Sequence, residues 1–115
     1  MSRPIVFFDI AGPDEPELRT FYERIFDWPC GSPGPFQPGN AQTLGGHIRS
    51  DPKETLLYVG VEDVTATLNA IEAAGGTIDV PRFETPGVAV IGLFRDPAGN
   101  RMGLVEMQDD KPKIP

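Results

Sequence analysis

His47 and Cys30 are the chain's single histidine and single cysteine. An imidazole changes charge near neutrality, so His47 is a candidate pocket base or residual metal ligand. A lone histidine excludes a three-histidine metal site, and a hydrogen-bonded or exposed polar residue is the plainer reading. Cys30 has no second cysteine and no histidine close in sequence, which disfavours a nucleophilic role. Asp9 interrupts an apolar run, and a carboxylate there is either solvated at an edge or buried with a partner. The edge or solvated position is the plainer of the two. Tyr22, Trp28, Phe36 and Tyr58 offer apolar and stacking surface to a ligand. Helix packing suits Tyr22 better. Phe36 lies in a Pro/Gly-rich connection and reads as a pocket lid. No phosphate-loop, dinucleotide, His-Glu-x-x-His or Cys-x-x-Cys pattern occurs. Ser2, Ser32 and Ser50 lack a nucleophile-elbow context.

The bulk properties narrow the function classes. Net charge is −7, from 17 acids and 10 bases, which opposes binding to nucleic acid or to an anionic membrane. No apolar run approaches the length of a membrane span, and the apolar stretch Ile5–Phe8 is too short for a secretory signal. One unpaired cysteine points to a reducing, cytoplasmic setting. The length of 115 residues suits one domain, residues 1–115.

These side chains need a scaffold. Ile5–Ile10 reads as a strand, rich in β-branched and aromatic residues. Asp14 stands three residues before Glu17 and starts a helix to Phe26, with Leu18, Phe21, Tyr22 and Ile25 at helical spacing. Trp28-Pro29 ends it. Residues 30–40 read as irregular, and 41–49 hold one short strand, with Gly45-Gly46 allowing close backbone approach. Leu56–Val61 is a strand. Asp63 caps a helix from Val64 to Ala74, and Gly75-Gly76 stops it. Strands follow at Thr77–Arg82, Val88–Phe94 and Arg101–Met107. Pro81 confines the first of these to an edge or an end. Asp96-Pro97-Ala98-Gly99-Asn100 makes a tight turn between the last two strands. The tail from Gln108 is expected to fray.

Four segments together carry a family resemblance. Phe21-Tyr22-Glu23-Arg24-Ile25-Phe26-Asp27-Trp28 resembles an "FYxxxFGW" helix end, with Asp27 in place of glycine. Tyr58-Val59-Gly60-Val61-Glu62-Asp63-Val64 resembles "YVxVDDV". Gly75-Gly76 matches a glycine pair after the second helix. Asp96 to Glu106 resembles "DPxGNxxGLxE". In this order and spacing they resemble the vicinal oxygen chelate superfamily, the glyoxalase, bleomycin-resistance and dioxygenase fold. The resemblance implies an α+β fold of paired β-α-β-β-β modules. These form a curved mixed sheet with outer helices around a cleft, often in a homodimer. The half-modules are expected at residues 4–50 and 55–107, the first abbreviated because 29–50 leave little room for three strands.

Metal-dependent members hold a divalent ion through His or Glu at positions that fall here on Phe7, a residue near Gly46 or His47, Leu56, and Gly103. Phe, Leu and Gly side chains supply no donor atom. No metal and no other cofactor are therefore expected. Glu106 lies three residues beyond Gly103, on the opposite strand face. The ligand-binding candidates are Phe7, Asp9, Phe36, His47, Leu56, Tyr58 and Gly103, with no catalytic residue assigned. Three functions stay open. The first is a metal-free small-molecule binding or sequestering protein. The others are a lyase- or dioxygenase-related enzyme of altered chemistry using His47 or Asp9, and an interaction protein with a filled cleft.

Overall fold

Two aspartates start the two helices of the computed structural model, which describes residues 2–39 and 44–115. Helix α1 spans Glu15–Phe26, and the Asp14 carboxylate accepts from Glu17 N at 3.1 Å. Helix α2 spans Val64–Ala73, and Asp63 accepts from Ala66 N at 2.9 Å. Each cap satisfies an amide that the first helical turn leaves without a partner. At the other end of α1, Asp27 takes the left-handed conformation, φ 56° and ψ 33°, and donates its N–H to Glu23 O. Aspartate tolerates this region better than most residues with a Cβ, which is how it can stand where the resembled helix end has glycine.

The strands are β1 Ile5–Gly12, β2 Gly45–Ser50, β3 Glu54–Val61, β4 Thr77–Thr85, β5 Ala89–Arg95, β6 Arg101–Gln108 and β7 Lys111–Pro112. The fold is α+β, with strand pairs of both directions. The chain divides into two compact units. The C-terminal unit is Met1–Val6 with Tyr58–Pro115, and the N-terminal unit is Phe7–Leu57.

In the C-terminal unit β3 pairs parallel with β6, β6 antiparallel with β5, and β5 antiparallel with β4. The β4–β5 register shifts on either side of Val80, and the second shift, before Phe83, spans Pro81, where a ladder donor is missing. Helix α2 covers one face. Val64, at 0% exposure, and Leu68 pack there with Val61 and Leu104, and Val59, Ile71, Ile78 and Phe94 surround them. The hairpin between β5 and β6 closes on Asp96. Its Oδ1 accepts from Ala98 N and Asn100 N, and its Oδ2 accepts from Asn100 Nδ2. These bonds, led by the Asn100 side chain, hold the carboxyl below its usual range. Gly99 supplies the φ of 93° that the turn requires. The tail does not fray as expected. Strand β7 pairs with β6, and Lys113 N donates to Glu106 O.

The N-terminal unit is shorter. Strand β1 pairs parallel with β2. Between α1 and β2 the described residues hold one bridge, in which Phe36 and Gly46 exchange both backbone bonds at 2.9 and 2.8 Å. A Cβ on Gly46 would lie 2.0 Å from the Phe8 ring, so the glycine is needed for this approach. The strand expected from residue 41 is observed from Gly45, and its expected residues 41–43 lie outside the described residues. Buried Cys30, Phe36 and Ile48 form the core with Phe8, Ile10, Leu18, Tyr22 and Trp28. Tyr22 stacks on Trp28 at 5.0 Å. Helix α1 buries none of its residues fully and leaves Phe21, Ile25 and Phe26 more than half exposed.

Candidate functional site

Strand alternation sorts the candidates by face. In the N-terminal unit Phe8, Ile10 and Ile48 belong to the core beneath α1. Phe7, Asp9, Gly45, His47 and Arg49 alternate with them and share the face away from the helix. Leu56 falls on this second face too. Its neighbours Thr55 and Leu57 line a shallow apolar groove with Phe8, Ile10 and Trp28 on the helix side. Leu56 is 2% exposed. Phe36, expected as a lid, is a core residue instead, packed on Phe8 and Trp28 at 5.8 and 5.7 Å between ring centres. Its bridge to Gly46 pins the backbone there, and burying the ring among aromatics is the stronger alternative to leaving it in water.

The helix-free face carries a polar cluster. Asp9, expected at an edge or in solvent, is 4% exposed. Its burial is possible because Arg49 Nε donates to Asp9 Oδ2 at 2.6 Å. Arg49 also donates to Asp51 at 2.5 Å and to Glu54 at 2.8 Å. Burial opposes the charge on Arg49, but Asp9 and Glu54 more than offset it, so the guanidinium titrates above its ordinary range. The second oxygen, Asp9 Oδ1, is buried without a hydrogen-bond partner. The nearby donor is His47 Nδ1 at 3.8 Å, beyond bonding distance, on a side chain about one-third exposed. Asp9 and His47 sit opposite each other in the β1–β2 register.

The C-terminal unit has a matching position filled differently. Asp9 precedes the N-cap Asp14 by five residues, as Tyr58 precedes Asp63. Tyr58 pairs in register with Gly103, as Asp9 does with His47. The Tyr58 ring lies across Gly103, where an added Cβ would come within 2.3 Å of it. Glu106 is on the other face, as alternation predicts. It is 6% exposed. It accepts from Val64 N at 3.1 Å at the start of α2 and from Arg82 at 3.0 and 2.9 Å. The bond from Arg82 leads in lowering its pKa to about 2. Glu106 is thus a structural anchor of the helix.

A divalent ion does not fit these residues. Phe7, Leu56 and Gly103 supply no donor, the Tyr58 ring occupies the space over Gly103, and no three His, Cys, Asp or Glu among the described residues form a metal-holding group. Cys30 is not a nucleophile in this setting. It is buried, its thiol faces Arg19 O, and burial, followed by the charge of Glu23, pushes its pKa up. The Asp9–Arg49 pair was the feature missed in the sequence. The only signal for it is the acid inside an apolar strand.

Comparison with known proteins supplies the family. A family model described as "Glyoxalase/Bleomycin resistance protein/Dioxygenase superfamily" matches residues 43–104. No curated protein sequence matches. Among solved structures, a methylmalonyl-CoA epimerase in complex with methylmalonyl-CoA and NH4+ is similar, with a TM-score of 0.67 and 12% identity. The match covers 96% of this chain and 99% of that one. The Streptomyces coelicolor methylmalonyl-CoA epimerase gives 0.66 at 13% identity, over 96% and 98% of the two chains. A hypothetical protein from Bacillus halodurans gives 0.69 at 10% identity, over 98% and 100%. At these identities the likeness establishes the fold.

Proposed function

The chain belongs to the glyoxalase/bleomycin resistance protein/dioxygenase superfamily, and from that premise we propose that it binds a small molecule without a metal ion, on the helix-free face of the N-terminal unit. The observation that carries this reading is Asp9 Oδ1. A buried acceptor without a donor costs about 1–3 kcal/mol, and more for a charged group. Folds keep such a cost where a ligand or a function uses the group. Phe7 and His47 share that face and are part-exposed beside it, Phe7 offering apolar surface, while Leu56 on the same face is buried. The similar epimerase structure holds methylmalonyl-CoA, which fits a small-molecule binding role for the fold in this chain too. Drug-type sequestration and altered enzymatic chemistry both begin from such binding.

The setting belongs to the same proposal. A homodimer in the cytosol suits the exposed apolar residues of α1 and the single buried thiol. A charge of −7 disfavours nucleic acid as a partner. No helix among the described residues is long and apolar enough to cross a membrane.

Two measurements test the reading. Elemental analysis of purified protein should find zinc, nickel, manganese and iron far below one equivalent, and a stoichiometric metal would overturn the metal-free part. A chemically diverse fragment set, followed by amide NMR shifts, should move residues 7–12 and 45–50 saturably. If no fragment moves them, binding at this face is refuted. A monomeric mass at tens of micromolar would refute the dimer.

A further inference from the structure

The geometry points to Asp9 and His47 acting as one unit, in which Asp9 locks the imidazole so that Nε2 accepts a hydrogen bond from the ligand. The inference rests on the binding reading above and adds the class of ligand: an uncharged or cationic molecule with a hydroxyl or N–H donor next to an apolar group.

The argument starts from the unsatisfied oxygen. A carboxylate only accepts, and Arg49 Nε already donates to its Oδ2 at 2.6 Å. Oδ1 is closed to solvent, so its donor must come from a neighbouring side chain. His47 Nδ1 is 3.8 Å away and directly across the strand pair. A movement of about 1 Å brings it to ordinary bonding distance. Nδ1 must then carry the hydrogen. In the neutral imidazole this leaves Nε2 as an acceptor on a side chain about one-third exposed. Asp9, Asp51 and Glu54 already accept from Nε, Nη1 and Nη2 of Arg49, so its charge is matched by carboxylates of this chain. Three carboxylates around one guanidinium leave the cluster net negative, which repels anions. Phe7 lies two residues from Asp9 on the same face and is half-buried, so it offers a ring edge to an apolar part of the ligand.

The full-length protein tests this with four benzyl probes. They are benzyl alcohol and benzylammonium as donors, benzyl methyl ether as an acceptor alone, and benzoate as an anion. Amide and imidazole NMR shifts should show the two donors binding at residues 7–12 and 45–50. The ether and benzoate should bind about tenfold more weakly, the scale of one hydrogen bond. Nitrogen-15 spectra should show His47 with its hydrogen on Nδ1. In Asp9→Asn the carbonyl oxygen stays on Arg49 and the amide N–H faces His47, so the hydrogen should move to Nε2 and the preference for the alcohol over the ether should vanish. His47→Ala should lose the same preference, and its exposed position makes it the safer variant if Asp9→Asn fails to fold. Equal binding of alcohol and ether to the unmodified protein overturns the inference, as does an Nε2–H tautomer in it. If the ether or benzoate binds the same face as tightly as the alcohol, this inference fails while the binding proposal stands. If no probe or other fragment binds there, both fail.

Discussion

Asp9 and Glu106 are the two buried acids among the described residues, and the two units satisfy them differently. Glu106 has a helix amide, the Arg82 guanidinium and the Lys113 ammonium around it, the last at 3.6 Å. Asp9 has one donor, Arg49, and one oxygen left over. The register position of Asp9 and His47 in one unit corresponds to Tyr58 and Gly103 in the other, where an aromatic ring over a glycine closes the space. One unit therefore spends its polar contacts on holding a helix to a sheet. The other keeps a polar contact incomplete. The proposed binding face rests on this difference.

The sharpest way to break the contrast is to remove the cation that each acid depends on. Arg49→Ala leaves Asp9 buried with no counter-charge and should lower stability by about 3–5 kcal/mol in denaturant unfolding. Arg82→Ala should cost clearly less, because Val64 N–H and Lys113 remain with Glu106. Equal losses would mean that Asp9 has partners the geometry does not show.

Glu106 should also govern the acid limb of stability. Its folded pKa is depressed, from 4.5 to about 2, chiefly by the bond from Arg82. Its contribution is therefore complete above the unfolded value and is lost as pH falls from about 5 to 2, up to about 3 kcal/mol. Glu106→Gln should be less stable at neutral pH and should show a flatter decline over that window. An unchanged slope would remove Glu106 from the account of acid unfolding.

Two smaller effects sharpen the Tyr58 comparison. Gly103→Ala puts a methyl into the Tyr58 ring and should cost about 1–3 kcal/mol, with much of the loss recovered in the Tyr58→Ala background. Additive losses would mean that the ring does not fill that space. His47→Ala removes the donor within reach of Asp9 Oδ1 and should cost about 0.5–1.5 kcal/mol in thermal unfolding. No loss at all would mean that Asp9 Oδ1 takes no bond from His47.

Local features were legible from residue order. Asp14 and Asp63 announced both helix starts, and the Asp96–Asn100 turn announced its hairpin, because caps and turns depend on groups within a few residues. Glu106 was assigned to the face away from Gly103 by strand alternation alone. Phe36 was misread as a lid because its burial depends on Trp28 and Phe8, which no spacing rule connects to it. The tail strand β7 was missed because its two residues take their order from β6.

What residue order determined by itself was the α+β class, the two helix starts and the closing hairpin. These follow from dihedral preference and period, neither of which needs a distant partner, and the family resemblance added that Phe7, Leu56 and Gly103 stand where metal donors would. Only the tertiary structure decided that Asp9 is buried, that Arg49 holds one of its oxygens across 40 positions of chain, and that His47 stands beside the other. A parallel strand pair has no short connection to set its register, so packing beneath α1 and the Phe36–Gly46 bridge chose which side chains meet.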